Sequence, residues 1–362
     1  MDSKRYSNIK LGISIGKSII VFALVFLFVY MGYSRLLEDY IRTFTQNDYF
    51  VFILFIIVTS IISGILFFPL SYFTEFYLEH KFKLSNQSFL RWIWEDVKGI
   101  LVSAVIGVPI LLIFYYTIKR YDEYWWLIFA VILFLFSVLL ARIVPVFILP
   151  LFYKITPFEN EELKDIILGH AKNAGLKVQA IYRFDMSKNT KKANAAFTGL
   201  GKSKRILLGD TLIEHYTNDE IETVIAHELG HYKKKHIIKN IFIGTITSFL
   251  TLYILSLLYK ISLPWFGYTY IWEVSALPLL MLWSMVLALI QTPLSNMLSR
   301  KFEYEADKYS LESTGKKEAY ISTLTKLTEQ NLSDKNPHPF VEWFFYSHPS
   351  VKNRIKAIEQ YH

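Results

Sequence analysis

Six long stretches without a charged side chain constrain the fold of this chain more than any other feature. A helix needs about 20 mostly apolar residues to cross a bilayer. The chain is also 53% hydrophobic and 17% aromatic, which is more apolar than an ordinary soluble two-domain enzyme. We therefore predict a mainly α-helical, polytopic membrane protein with six transmembrane helices. The stretches are residues 18–34, 49–74, 99–118, 124–141, 240–259 and 274–299.

The distribution of basic residues predicts how these spans are oriented. If the N-terminus is cytoplasmic, 33 of the 39 Lys and Arg residues lie in cytoplasmic segments. Short cytoplasmic loops of membrane proteins are enriched in Lys and Arg. We therefore expect both termini and both large polar regions to be cytoplasmic in an integral, multi-pass protein. The net charge of +8 then follows from topology, so we expect membrane lipids and no nucleic acid as partners.

A His-Glu-x-x-His motif, formed by His227, Glu228 and His231, lies in the first polar region. Thr217 followed by Glu220 matches a capping box, which predicts that a helix begins shortly before the motif. On a helix the two histidines share one face, where both imidazoles can bind a single Zn²⁺ with the glutamate beside it. The pattern is typical of zincin peptidases. The alternative is three residues of a surface helix.

A third protein ligand is required, and known zincin spacings limit where it lies. The chain has no cysteine, which excludes thiolate ligands. The metzincin pattern requires Gly at position 234 and His at 237, where the sequence has Lys234 and Ile237. His236 is out of register, and we interpret it as a helix-surface or membrane-interface residue. A thermolysin-like glutamate is also absent, because no acidic residue occurs between His231 and Glu273.

The first acidic residues back on the cytoplasmic side are Glu303, Glu305 and Asp307, directly after the sixth span. Glu303 and Asp307 are four residues apart, so they lie on one face of a helix. One can bind a metal while the other accepts a hydrogen bond from a ligand imidazole. We favour Glu303 as the third ligand and expect Glu305 to point elsewhere. A solvated charged helix is the alternative.

These features divide the chain into four regions. Residues 1–153 form an N-terminal membrane region with four spans, and residues 240–299 contain the fifth and sixth. Residues 154–239 form a catalytic region with the motif helix and an edge strand, and residues 300–362 supply the third zinc ligand. Because the two polar regions share one membrane face, we expect them to form a split cytoplasmic domain of the zincin-like α+β class.

Four segments together carry a resemblance to a known family. The segments are HELGH at 227–231, SRKFEYEAD at 299–307, NAAF at 194–197, and SHP at 347–349 followed by Arg354. With them the chain resembles the type I CAAX prenyl proteases, in a shorter form such as those of bacteria or archaea. These are integral-membrane zinc endopeptidases that remove the C-terminal tripeptide of proteins prenylated at a C-terminal Cys.

The resemblance implies a chamber walled by transmembrane helices, with one Zn²⁺ per chain at its cytoplasmic end. A peptide or protein substrate would bind as an extended strand along an edge formed by Asn194, Ala195 and Ala196, an arrangement that depends little on side chains. His348 corresponds to the family histidine near the scissile carbonyl, where an imidazole N–H stabilises the oxyanion. Arg354 would support the same end of the substrate site.

The catalytic hypothesis follows from these assignments. Zinc held by His227, His231 and Glu303 activates water and polarises the scissile carbonyl, while Glu228 accepts the proton and delivers it to the leaving amine. Asp307 orients a ligand imidazole.

Two other functions stay open at this point. Eukaryotic relatives usually have seven spans, and with six this chain could instead be a quality-control zinc protease without prenyl specificity. A transporter or scaffold with a structural zinc is disfavoured, because only Arg142 is charged within the spans and a structural site has no use for Glu228.

Overall fold

The computed structural model of the protein describes residues 2–198 and 205–361. Among these residues, six helices are long and apolar enough to cross a membrane, which confirms the predicted number of spans. Five predicted stretches lie wholly within these helices, and the first differs. The helices are Asp2–Tyr30, Asp48–Lys81, Phe89–Arg120, Asp122–Phe152, His236–Phe266 and Val274–Thr314.

The first long helix begins earlier and ends earlier than the sequence pattern predicts. It starts at Asp2 and ends at Tyr30, whereas the predicted stretch continues to residue 34. The chain leaves the helix at Gly32, whose φ of 77° is left-handed and costs glycine nothing. A separate ten-residue helix then runs from Tyr33 to Arg42.

Fifteen α-helices and four strands are present in the described parts of the chain. The helices are α1 (Asp2–Tyr30), α2 (Tyr33–Arg42), α3 (Asp48–Ser71), α4 (Leu78–Lys81), α5 (Phe89–Arg120), α6 (Trp125–Ile143), α7 (Leu149–Phe152), α8 (Glu161–Asn173), α9 (Asp210–His215), α10 (Asn218–Lys233), α11 (His236–Ser262), α12 (Pro278–Thr314), α13 (Lys317–Gln330), α14 (Pro339–Phe345) and α15 (Val351–Gln360). The strands are β1 (Ile155–Pro157), β2 (Ala180–Phe184), β3 (Ala195–Thr198) and β4 (Arg205–Gly209). Single π-helical segments continue α3 into α4 and α6 into α7.

The membrane helices pack around a cluster of buried aromatic and aliphatic side chains that come from both ends of the chain. Its fully buried members include Val51, Tyr115, Ile118, Tyr259 and Val274. Buried tyrosine hydroxyls need partners, and Tyr259 donates to the Ile271 carbonyl at 2.9 Å. This cluster lies among the starts of α3, α6 and α12 and the ends of α5 and α11, which is the end of the bundle away from the two polar regions.

A four-stranded sheet with the order β1-β2-β4-β3 forms the β part of the polar domain. β2 and β4 are parallel, and the two outer strands pair antiparallel to their neighbours. β3 is therefore an edge strand. The sheet packs on α8, α9 and α10 through a second apolar core, in which Ile167, Leu208, Leu212 and Leu229 are fully or almost fully buried.

The two polar regions pack together on one end of the membrane bundle. α10 from the first region lies against α12 and α13 of the second. Ser310 on α12 donates to the Thr223 carbonyl of α10 at 2.8 Å, and both residues are fully buried. Two sequence segments that are separated by two membrane spans thus pack into one domain. The mainly α-helical fold with a small sheet agrees with the predicted fold class.

Candidate metal centre

The helix that carries the His-Glu-x-x-His motif begins where the sequence predicted. α10 has Thr217 as its N-cap, and the reciprocal capping box with Glu220 is formed. This box satisfies two backbone N–H groups at the helix start. Ten residues farther along, His227 and His231 lie one turn apart with their rings 4.9 Å apart.

Gly230, inside the motif, allows α12 to approach α10 closely. A Cβ atom at this position would lie 3.0 Å from the Cα and 3.1 Å from the carbonyl oxygen of Ala306. Both are backbone atoms that cannot move aside cheaply, so any larger residue would push the helices apart. Since Ala306 is three residues beyond Glu303, this crossing brings the Glu303 carboxylate against the two histidines.

The three predicted ligands converge on one point. The Nε2 atoms of His227 and His231 are 3.2 Å apart. The Glu303 carboxylate lies 3.4 Å from the first nitrogen through Oε2 and 3.3 Å from the second through Oε1. Zinc binds nitrogen and oxygen ligands at about 2.0–2.2 Å in a tetrahedron, whose ligand atoms are then roughly 3.3–3.5 Å apart. The observed separations match that requirement.

The carboxylate of Glu303 is itself incompletely satisfied. In the part of the chain that the structure describes, its Oε2 atom is buried and accepts no hydrogen bond. His348 Nδ1 approaches to 2.9 Å and His227 Nε2 to 3.4 Å, without hydrogen-bond geometry. A buried anionic oxygen without a partner is costly, and a cation between the three side chains would remove that cost. The donor set therefore fits a zinc ion.

His227 is held from behind by two side chains. Its Nδ1 atom lies 2.9 Å from Asp307 Oδ1 and 2.9 Å from the Tyr320 hydroxyl, which also donates to Asp307 at 2.6 Å. Burial lowers the pKa of the His227 imidazole, but hydrogen bonds to Asp307 and Glu303 outweigh burial and raise the pKa to about 9. Without metal, this site holds a proton on His227.

Arg354 lies behind Asp307 and lines the cleft at the same time. Its Nε donates to Asp307 Oδ2 at 2.9 Å, and its Nη2 donates to the Tyr320 hydroxyl at 3.1 Å. The Asp307 side chain is fully buried and that of Arg354 is 14% exposed. Burial lowers the pKa of the guanidinium, and the Asp307 charge outweighs burial and raises it. The ion pair fixes the carboxylate that faces His227.

His231 is supported by a residue that the sequence interpretation placed on the surface. His236 is 1% exposed, so it is not a helix-surface residue, although it does lie at the start of the membrane helix α11. Its Nδ1 lies 3.0 Å from His231 Nδ1, and its Nε2 lies 2.9 Å from Glu305 Oε2. The error arose because Lys235 adopts a left-handed φ of 58°, which turns the chain between α10 and α11 and folds His236 back under the metal site.

A cleft of about 570 Å³ opens over these residues. Its walls come from β3, α10, α12, α13 and the segment before α15. Glu228 lines it next to His227 and Glu303, and His348 also lines it, with a side chain that is 64% exposed and an Nδ1 atom 2.9 Å from Glu303 Oε2. A carboxylate and an imidazole thus face the same space over the three converging ligands.

The predicted substrate edge also faces this cleft. Asn194 and Ala195 line it, whereas Ala196 packs on the other side of the sheet against Phe184, Met186 and Leu207. The Asn194 carbonyl accepts from Gly209 N–H at 3.0 Å. Since hydrogen bonding alternates along an antiparallel strand, Ala196 directs its backbone polar groups toward β4. Those of Ala195 point outward to the cleft.

Two residues of the cleft had no signal in the sequence. Asn331, at the end of α13, pairs with both backbone groups of Ala193, accepting from its N–H at 3.0 Å and donating to its carbonyl at 3.3 Å. It takes the place of a neighbouring strand and closes the edge just before Asn194. Tyr320 lies within an ordinary amphipathic helix, and only tertiary contact brings its hydroxyl to Asp307.

Comparison with protein families gives two adjoining matches. Residues 157–362 match the family described as peptidase family M48. Residues 1–154 match the family described as the CAAX prenyl protease N-terminal region with five membrane helices. Within that stretch the described residues contain four candidate spans, and the short α2 follows the first of them.

Similar proteins agree with these matches over nearly the whole chain. An uncharacterised metalloprotease of Bacillus subtilis is 31% identical and aligns with 99% of this chain and 85% of its own length. CAAX prenyl protease 1 of Saccharomyces cerevisiae is 32% identical, with 84% and 71% covered. The crystal structure of S. mikatae Ste24p superposes with a TM-score of 0.86 at 29% identity, with 99% of this chain and 88% of that one covered.

Proposed function

Since this chain belongs to peptidase family M48 and is an integral-membrane metalloprotease, we propose that it hydrolyses peptide bonds with one Zn²⁺ held by His227, His231 and Glu303. The observation that carries this proposal is the spacing of the three ligand atoms, which are 3.2 to 3.4 Å apart. Glu228, on the same turn of α10, lines the cleft beside them. A purely structural zinc site has four protein ligands and no carboxylate of this kind.

The residues around the cleft divide the chemistry between them. Zinc, when bound, supplies Lewis acidity to the scissile carbonyl and acidifies water. Glu228 accepts the proton of the attacking water and passes it to the leaving amine. His348, which also lines the cleft, donates an imidazole N–H to the oxyanion. Asp307 holds the Nδ1 proton of His227, which leaves Nε2 free to ligate.

The substrate lies along β3 in this proposal. The backbone of Ala195 points outward, so an extended peptide can add to the sheet as a further strand. Asn331 occupies the edge at Ala193, and the Asn194 carbonyl is paired with Gly209, so the first outward-facing backbone groups open to a peptide are those of Ala195. Strand addition uses main-chain hydrogen bonds, which explains how one site can accept peptides of different sequence. Arg354 contributes to the cleft by holding Asp307.

We further propose that the physiological substrates end in a prenylated cysteine followed by three residues. Several relatives are named CAAX prenyl protease 1, and the similarity extends through the membrane helices as well as the peptidase region. The cleft lies where α12 emerges from its apolar stretch, so a lipid attached to the peptide could enter among the membrane helices. In this proposal the metal site faces the cytoplasm. Most Lys and Arg residues lie on the same side of the membrane as the two polar regions, and cytoplasmic segments are enriched in these residues.

The test uses purified full-length protein in lipid vesicles and two quenched peptides that differ only in a farnesyl group on the cysteine. We expect cleavage of both to cease with a zinc chelator and return with added zinc, and we expect faster cleavage of the farnesylated peptide. Glu228→Ala protein, purified in the same way, controls for contaminating peptidases. Cleavage that persists with chelator would contradict the metalloprotease mechanism. Equal rates would contradict lipid recognition alone and would favour a quality-control role.

A further inference from the structure

The two histidines of the metal site are supported in different ways. His227 contacts a carboxylate directly, through Nδ1 and Asp307 at 2.9 Å. His231 contacts a second imidazole, since its Nδ1 lies 3.0 Å from His236 Nδ1. The carboxylate comes one step later, where His236 Nε2 lies 2.9 Å from Glu305 Oε2. The chain of contacts therefore runs from His231 through His236 to Glu305.

The geometry of this chain leaves one arrangement of protons. The Nε2 atom of His231 faces the other ligands, so as a neutral metal ligand it carries its proton on Nδ1. That N–H then donates to His236 Nδ1, which must be unprotonated. His236 carries its own proton on Nε2 and donates it to the Glu305 carboxylate. Each donor meets an acceptor, and the last acceptor is an anion, which strengthens the hydrogen bonds before it.

His236 is held in place by packing as well as by hydrogen bonds. Its ring stacks on Phe302, with ring centres 4.2 Å apart and planes 8° from parallel. The left-handed backbone of Lys235 starts α11 at His236, a conformation that costs a non-glycine residue free energy. Lys239, one turn farther, lies 3.7 Å from Glu305 Oε2 and leaves that carboxylate oriented toward His236. Packing and backbone conformation thus hold the His236 ring between His231 and Glu305.

From these contacts we propose that His236 and Glu305 are positioning residues for the zinc ligand His231. They fix its tautomer and the direction of its Nε2 atom, as carboxylates do for ligand histidines elsewhere. The inference rests on the proposed zinc site. It also gives separate tasks to the three acidic residues between positions 303 and 307 of α12, because Glu303 faces the ligand cluster, Asp307 supports His227, and Glu305 supports His231 through His236.

The chain of contacts from His231 through His236 to Glu305 also joins the metal site to the membrane region. His231 is on α10, His236 is the first residue of the membrane helix α11, and Glu305 lies where the membrane helix α12 enters the polar domain. The position of His231 is thus tied to the cytoplasmic ends of both helices. A change in how α11 and α12 meet would reach the metal site through these two hydrogen bonds.

Zinc affinity of the full-length protein tests this inference independently of peptidase activity. We expect His236→Ala and Glu305→Ala to weaken zinc binding by about 10–100-fold, measured by competition with a chromophoric chelator. His236→Gln, whose amide can accept from His231 and donate to Glu305, should recover most of the loss. The absorption spectrum of the Co²⁺-substituted protein should shift in both Ala variants, because it reports ligand geometry.

The control is His170→Ala. His170 Nε2 lies 2.7 Å from Glu222 Oε1 of α10, so this variant also removes a His–Glu pair, but one outside the metal site, and it should leave zinc affinity unchanged. If His236→Ala does not fold, Glu305→Ala provides the test. The Glu305 side chain is 31% exposed, so its removal should not prevent folding. If the folded variants have the zinc affinity and the cobalt spectrum of the wild type, His236 and Glu305 do not position His231. A wild-type protein that binds no zinc would instead overturn the proposed function.

Discussion

Asp307 lies 2.9 Å from the Nδ1 atom of His227 while its other oxygen accepts from Arg354. The carboxylate has no exposed surface, so within the described part of the chain its charge is compensated by these neighbours and the Tyr320 hydroxyl. Successive contacts therefore connect the ligand His227 on α10, the buried anion Asp307 on α12 and the buried cation Arg354 on α15. The stability of the domain and the orientation of the ligand depend on the same contacts.

Removal of either member of the buried ion pair should destabilise the protein. Asp307→Leu leaves the Arg354 guanidinium buried without its partner, which typically costs about 3–5 kcal/mol. We expect a clearly lower melting temperature of the metal-free protein in detergent. Replacing both residues, with Arg354→Met added to Asp307→Leu, should restore most of the loss because no uncompensated charge remains. Equal destabilisation by the single and the double replacement would contradict this account.

An exposed ion pair provides the comparison. Arg183 and Glu214 are 2.8 Å apart, but their side chains are 46% and 49% exposed. Such pairs contribute about 0–1 kcal/mol, so Arg183→Met should change the melting temperature little.

The raised pKa of His227 predicts two opposite effects of pH. The pKa is about 9 in the metal-free fold, above the unfolded value near 6.5. The stability from protonated His227 is therefore fully present below pH 6.5 and is lost as the pH rises through about 9. Zinc must displace the same proton, so zinc affinity should rise by about tenfold per pH unit between 7 and 9. Calorimetric zinc titrations in buffers of different ionisation enthalpy measure the released proton. An affinity independent of pH in this range would contradict the assignment.

The sequence predicted those parts of the fold and site that depend on local pattern. Apolar runs predicted six spans, and Thr217 with Glu220 predicted the start of α10. The helical spacing within 227–231 and 303–307 placed each pair of side chains on one face. Each span depends only on the composition of one continuous run. The other predictions concern residues within two turns of one another, where helix geometry alone determines which side chains are neighbours.

The supports of the ligands could not be predicted in the same way. His236 was misassigned because its position depends on the left-handed backbone at Lys235, and a lysine gives no signal for that conformation. Tyr320 and Asn331 reach the site from α13 only because that helix packs on α10. One signal was available for Glu305, since three acidic residues at alternate positions cannot all face one side of a helix. The middle residue therefore requires a partner on another side of α12.

Glu228 is predicted to act in catalysis without being needed for metal binding. It lines the cleft beside His227, but its carboxylate is not among the converging ligands. We expect Glu228→Ala to lower the rate constant for peptide cleavage by about 10²–10⁴-fold, the usual contribution of a general base. Zinc content, measured by atomic absorption, should stay near one per chain. Glu303→Ala is the contrasting variant and should lose the metal together with the activity. Zinc-replete Glu228→Ala protein with undiminished cleavage would exclude this role.

Proline substitutions in β3 separate substrate binding from the integrity of the sheet. Proline lacks the N–H group, and it is tolerated on an edge strand where that group does not pair within the sheet. Ala195→Pro removes an N–H that faces the cleft, so one hydrogen bond to an extended peptide is lost. A net hydrogen bond is worth about 0.5–1.5 kcal/mol, and kcat/KM should fall roughly 2- to 12-fold at unchanged melting temperature. Ala196→Pro removes an N–H that faces β4 and should lower the melting temperature instead. Because the two alanines are neighbours of equal size, a reversed result would mean that the peptide does not bind along this edge.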